Sequence, residues 1–232
     1  MNTILLQIPL STDSLNTPVI TEKTLSIIDL ITSGGIGGNL VMGTLGLLSI
    51  FAIYILIERF SAIRKASIED DAFLKSIQNF VEAKDIEAAK TLCRNTDSPI
   101  SRMIEKGVNR INKPMTDISA AIENQGKLEV FKMENNLANL ATISGAAPMI
   151  GFLGTVIGMI VAFHEMASAG GNIDVEMLSK GIYTAMTTTV AGLIVGIIAF
   201  IAYNYLVSKV DKVVFMLEAK TTEFLDLLHH NE

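Results

Sequence analysis

Ser144, Thr155, Thr184, Thr188 and Thr189 are hydroxyls set in two long stretches, Leu137 to Phe163 and Gly181 to Val207, whose interiors contain no Asp, Glu, Lys, Arg or His. On the first stretch Ser144, Pro148, Gly151, Thr155, Gly158 and Ala162 recur every three or four positions, which aligns them on one helix face. On the second, Ala185, Thr189, Gly192, Gly196 and Ala199 do the same, with Thr184, Thr187 and Thr188 beside them. The result is two slim, weakly polar faces. Their chemistry is limited: hydroxyls and carbonyls orient water or coordinate sodium, but they do not titrate near neutral pH. Membrane proteins that carry ions usually place an ionisable group in the membrane. If protons move along these faces, another subunit must supply the titrating carboxylate.

The same residues have a packing role. Gly154 with Gly158, and Gly192 with Gly196, form G-x-x-x-G pairs that let helix backbones approach, and a Thr hydroxyl can bond back to its own helix. Gly151, Gly154, Gly158, Gly192 and Gly196 are assigned to packing. Both readings stand for Thr155 and Thr189, which with Thr184, Thr188 and Ser144 form the candidate pore lining. Pro148 removes one helical hydrogen bond and frees a carbonyl, so it is read as a kink in a packing face. His164 and Glu165 end the first stretch and are read as solvated, and His229 and His230 are spaced too closely for a metal site. No metal and no cofactor is expected.

The elements that must position these groups follow from hydropathy. Half of the 232 residues are hydrophobic, the mean hydropathy is +0.45 and Trp is absent, a composition of the membrane class. Three uncharged stretches, Leu40 to Ile57 and the two above, lie near or above the roughly 20 residues that cross a hydrocarbon core. The expected fold is therefore all-α and polytopic, with three transmembrane helices and long helices extending into a cytoplasmic helical domain. Thirteen of the 18 Lys and Arg lie between the first and second spans and three follow the third, which predicts that both regions are cytoplasmic. The expected order is an outer-facing segment 1–38, spans at 39–58, 137–164 and 181–207, a cytoplasmic region 59–136, a periplasmic loop 165–180 and a cytoplasmic C-terminal helix 208–232.

Within 59–136 Phe73, Ile77, Phe80 and Val81, then Ile86, Ala89, Leu92 and Cys93, have helical spacing. Ser67-Ile-Glu-Asp reads as a capping box, Ser98-Pro99 as a cap with a first-turn proline, and Pro114 with Thr116 as a further start. No proline lies between Thr116 and Pro148, which predicts one long helix running into the second span. Leu25, Ile28, Leu30 and Ile31 suggest a short amphipathic helix on the outer membrane surface, followed by a flexible break at Ser33 to Gly38. The apolar run Ile4 to Leu10 lacks a basic leader, so a retained N-terminus is expected. The single Cys93 allows no intrachain disulfide and is read as a reduced core residue. A net charge of -6 without basic-aromatic clusters argues against nucleic acid. The absence of a nucleophile-base pair or a metal-spaced cluster argues against an enzyme.

The runs Gly151-Phe-Leu-Gly-Thr155-Val-Ile-Gly158-Met, Gly181-Ile-Tyr-Thr-Ala-Met-Thr-Thr-Thr189-Val-Ala-Gly192-Leu and Ala202-Tyr-Asn204 resemble the MotA/TolQ/ExbB channel family, ExbB-type members most nearly. The resemblance is specific over 140–206. It implies a homopentamer in the bacterial inner membrane, N-terminus periplasmic and C-terminus cytoplasmic, in which the second and third spans surround ExbD-like single-span subunits. Those subunits would supply a proton-binding aspartate, and a TonB-like protein would pass the work to outer-membrane transport, with membrane lipids as the other partner. Thr155 and Thr189 fall on the family's pore threonines. Where ExbB and TolQ proteins commonly carry a glutamate in the third span, this chain has Thr184. A TolQ-like subunit, a motility stator and a non-conducting membrane scaffold are the alternatives.

Overall fold

The computed structural model describes residues 35–67, 71–168 and 175–230. The expected helix around Leu25 to Ile31, most of the capping box that begins at Ser67, and the centre of the loop after the second span lie outside the described residues. Seven α-helices form within them: α1 (Gly35–Ala66), α2 (Asp71–Glu82), α3 (Ile86–Asn95), α4 (Pro99–Val108), α5 (Met115–Glu134), α6 (Leu137–Ser168) and α7 (Val175–His230).

Length and composition separate two kinds of helix. With 32 residues each, α1 and α6 are about 48 Å long, and the 56 residues of α7 reach about 84 Å, against a hydrocarbon core of about 30 Å. These three runs are long and apolar enough to cross a membrane. Arg64 and Lys65 close the last turn of α1, where cations complement the helix dipole. The shorter α2, α3 and α4 are amphipathic. Ser98 accepts from the Ser101 amide, Ser101 Oγ accepts from the Ser98 amide, and Pro99 occupies the first turn of α4.

Opposite physics holds the two ends together. At the polar end Phe73, Ile77, Cys93, Ile104 and Ile122 bury their side chains against Val210, Val213, Leu217, Phe224 and Leu228 of α7. Each fully buried Ile or Leu there contributes about 1.5–3 kcal/mol relative to exposure in water. Among lipid tails that driving force disappears, and close backbone packing replaces it. Helices α6 and α7 run antiparallel: a Cβ built on Gly181 would meet Ala162, one on Gly158 would meet Ala185, and one on Gly196 would meet Pro148. Helix α1 also lies antiparallel to α6, with Gly37 beside Ile157, Val41 beside Gly154, and Arg59 Nη1 donating to the Lys132 carbonyl at 3.0 Å.

Two local expectations differ from the structure. The run from Thr116 into the second span is not one helix, because α5 ends at Glu134, Asn135 caps it in a non-helical conformation and Asn136 takes φ 65° before α6 begins. Asn reaches the left-handed region at modest cost, and the Arg59 guanidinium bonds a carbonyl in the last turn of α5, so the break needs no proline. The glycine-rich segment before the first span is helical from Gly35 onward. There Gly37 lets α1 approach Ile157 to the point where a Cβ would sit 3.0 Å from its methyl.

Candidate functional site

The closest approach of α6 and α7 sets the geometry of the hydroxyls. A Cβ on Gly151 would lie 2.7 Å from the Thr188 carbonyl and 3.0 Å from Gly192 Cα, so the two backbones touch at this level. On either side of the contact Thr155 and Thr189 hydrogen-bond to each other through their hydroxyls. The Gly151 carbonyl lies within reach of three hydroxyls: Thr188 at 3.1 Å, Thr189 at 3.2 Å and Thr155 at 3.3 Å.

That convergence has a chemical consequence. Each hydroxyl has one proton to donate and can also accept, whereas a carbonyl has two lone pairs. The Gly151 oxygen also belongs to the backbone ladder of α6, so it cannot hold every available donor at once. Thr188, 2% exposed, has a second acceptor in the Ala185 carbonyl at 2.7 Å. Thr155 and Thr189 are half-buried and can turn their hydroxyls towards each other, the carbonyl or a water. Such a pair can orient a water or a cation, but its hydroxyls do not titrate near neutral pH.

Other hydroxyls are engaged elsewhere. Thr184 donates to its own helix, its oxygen lying 3.0 Å from both the Lys180 and Gly181 carbonyls. Ser144 is turned onto the Ala141 carbonyl at 2.7 Å, about 16 Å along α6 from Thr155. The structure thus brings together Thr155, Thr188 and Thr189, and leaves Thr184 and Ser144 apart from them. Gly154 and Gly158 face Thr188 and Ala185, Gly192 faces the Ala147 carbonyl, and Pro148 lies in the groove left by Gly196.

The profile of the MotA/TolQ/ExbB proton channel family matches residues 95–219, more than half of the chain and both helices of the threonine cluster. The chain belongs to this family. Among its relatives, a putative biopolymer transport protein ExbB homolog of Methanothermobacter thermautotrophicus is 26% identical over 187 residues, 80% of this chain and 64% of that protein. The chain therefore spans just under two thirds of that relative. A putative ExbB-like protein of Synechocystis is 29% identical over 199 residues, 82% of this chain and 74% of that protein. The Tol-Pal system protein TolQ of Pseudomonas aeruginosa is 26% identical over 215 residues, 88% of this chain and 93% of that protein. With its three apolar spans, the chain is a multi-pass membrane member of the family.

The family match also covers most of a polar cluster that sequence reasoning missed. Glu129 is 2% exposed, yet its carboxylate accepts from Arg102 at 2.7 and 3.1 Å, Gln125 at 2.7 Å and Lys132 at 2.9 Å. Burial alone would raise the Glu129 carboxyl, but the bonds from Arg102 and Lys132 hold it below the usual carboxylate range. Arg102 also reaches Asp97 at 2.7 Å, and Asp97 pairs with Lys65 of α1 at 2.8 Å. The cluster ties α1, α4 and α5 together beside the break that leads into α6. Its one sequence signal is position: Glu129 continues the buried stripe of Ile118, Ile122 and Met133.

Proposed function

We propose that this chain is an ExbB-like subunit of an inner-membrane, ion-driven motor that couples the proton-motive force to active transport across the outer membrane. Five copies surround ExbD-like single-span helices, residues 59–136 and the C-terminus face the cytoplasm, and a TonB-like protein carries the work outward. The observation that supports this reading is the Thr155–Thr189 hydroxyl pair over the Gly151 carbonyl, in spans that carry no ionisable interior group of their own. In this reading the hydroxyls order the water that delivers a proton to the partner's aspartate. One charge crossing 100 mV releases about 2.3 kcal/mol, so several crossings can drive a conformational cycle.

The test is Thr155→Val with Thr189→Val, co-expressed with the partner subunits. Valine keeps the shape and removes the hydroxyl, and the glycine contacts between α6 and α7 stay intact. Assembly by native mass spectrometry should be preserved and ion-driven uptake lost. Full uptake by the double variant would remove the pathway assignment.

A TolQ-like role is the second reading, favoured by the P. aeruginosa relative, which this chain matches over 93% of its length. Complementation separates the two. Rescue of a strain lacking ExbB in nutrient uptake supports the first, and rescue of outer-membrane integrity in a strain lacking TolQ supports the second.

A further inference from the structure

Where α1 and α7 leave the apolar layer, a groove of about 200 Å³ opens between Arg64 at the end of α1, with Ser67 in the turn after it, and Tyr205 and Lys209 on α7. Its charge is unbalanced. Neighbouring cations are matched, Arg59 by Glu58 and Lys65 by Asp97. Arg64 has no carboxylate partner among the described residues, and Lys209 rests its ammonium 5.5 Å from the centre of the Tyr205 ring. Tyr205 stacks on Phe60 with centroids 6.3 Å apart, which joins the two helices beneath the cations.

Depth agrees with charge. Arg64 lies seven residues beyond Ile57, about 10 Å past the apolar edge of α1, and Lys209 lies two residues beyond Val207, about 3 Å past that of α7. The headgroup layer of one leaflet is about 5–8 Å thick, so Lys209 lies within it and Arg64 just beyond its outer limit. The volume equals that of about six or seven waters, room for a phosphate and its glycerol but not for a helix. An aromatic floor, a hydroxyl and two cations with no carboxylate partner among the described residues, at headgroup depth, suit an amphiphile with an anionic head.

We infer that this groove is a binding site for the phosphate headgroup of an anionic phospholipid from the leaflet on the side of the polar helices. The phosphate sits between Arg64 and Lys209 with Ser67 as a further donor, while the acyl chains run along the exposed apolar faces of α1 and α7. The lipid thereby bridges the first and third spans. This inference requires only that the chain spans a membrane, and it is independent of the motor reading.

The test is native mass spectrometry of the full chain in mild detergent, titrated with phosphatidylglycerol or with phosphatidylcholine of the same acyl chains. Wild type should prefer phosphatidylglycerol, and each cation near an anionic surface contributes about fivefold. Arg64→Gln with Lys209→Gln should thus bind it roughly 25-fold more weakly. Arg64→Lys with Lys209→Arg should retain the preference, as should Lys106→Gln with Lys113→Gln, which alters charges elsewhere. Unchanged preference in the neutralised variant would overturn the site. Displacement of the lipid by millimolar inorganic phosphate would point to a free-anion site, and loss of oligomer with lipid retention unchanged would point to a subunit contact. Either result overturns the inference. Should the neutralised variant fail to fold, salt decides: wild-type preference must fall as ionic strength rises, and a salt-insensitive preference refutes an electrostatic headgroup site.

Discussion

Replacing Gly192 by Ala tests the α6–α7 contact where it is tightest. The added methyl would fall 2.6 Å from the Ala147 carbonyl oxygen, 2.9 Å from Gly151 Cα and 3.2 Å from Gly151 N, all backbone atoms that cannot rotate away. Ordinary contact begins near 3.4 Å, so the helices must part by about 0.8 Å at this level. The Thr188 and Thr189 bonds to the Gly151 oxygen, at 3.1 and 3.2 Å, would then stretch to about 3.9–4.0 Å, outside hydrogen-bonding range. Overpacking of this kind costs about 1–3 kcal/mol, partly offset by the roughly 1 kcal/mol that Ala gains over Gly within a helix. Gly46→Ala and Gly145→Ala gain the same propensity with nothing within 4 Å of the new methyl. The assay is thermal unfolding of the detergent-solubilised protein, followed by circular dichroism, for all three variants. Gly192→Ala should melt below wild type and the other two at or above it. If Gly192→Ala melts with the controls, α6 and α7 are not in backbone contact here, and the threonine geometry derived from that contact fails with it.

Three further outcomes are expected. Thr155→Val with Thr189→Val should leave Tm within a degree or two of wild type while abolishing ion-driven uptake, since no glycine contact is altered; a Tm that falls with activity would make the pair structural. The Glu129 carboxyl is held low in the folded state, so its contribution to stability is present above the unfolded value of about 4.3 and is lost as pH falls towards the folded value. Melts recorded from pH 7 to pH 3 should therefore show a decline that Glu129→Gln flattens, and identical profiles would show that the Arg102–Glu129 pair does not stabilise the fold. Burial pushes the Cys93 thiol up to about 12, with Glu105 adding to the effect. A maleimide at pH 7.5 should leave the native protein unlabelled and label it fully in denaturant, and rapid native labelling would contradict the packed α2–α4 core.

How much of this was legible depended on whether a feature is periodic. The threonines and glycines of α6 and α7 could be placed on helix faces because the 3.6-residue repeat fixes direction, and Ser98-Pro99 carries the cap and first-turn proline that favour a helix start. Rotamer choice is not encoded in that way: Ser144 and Thr184 look as available as Thr155 until their hydroxyls are seen on the Ala141, Lys180 and Gly181 carbonyls. The break at Asn135 and Asn136 has no proline to mark it, and its support comes from Arg59, more than seventy residues earlier in the chain. Glu129 was hidden because a carboxylate in a helix reads as solvated by default, and the donors that permit its burial lie up to 27 residues away. The Gly151 carbonyl could not be singled out at all, since every residue has one.

The unbroken length of α7 has a mechanical meaning. The helix that carries Thr189 in the threonine cluster is the same one that offers Phe224 and Leu228 to the polar core, with no proline or glycine between Gly196 and His230 to absorb a bend. Thr189 and Leu228 are 39 residues apart, about 58 Å along one continuous helix. A tilt of only about 5° at the threonine level would carry the far end through about 5 Å, the pitch of one helical turn. The threonine cluster and the polar domain are thus the two ends of a single lever arm.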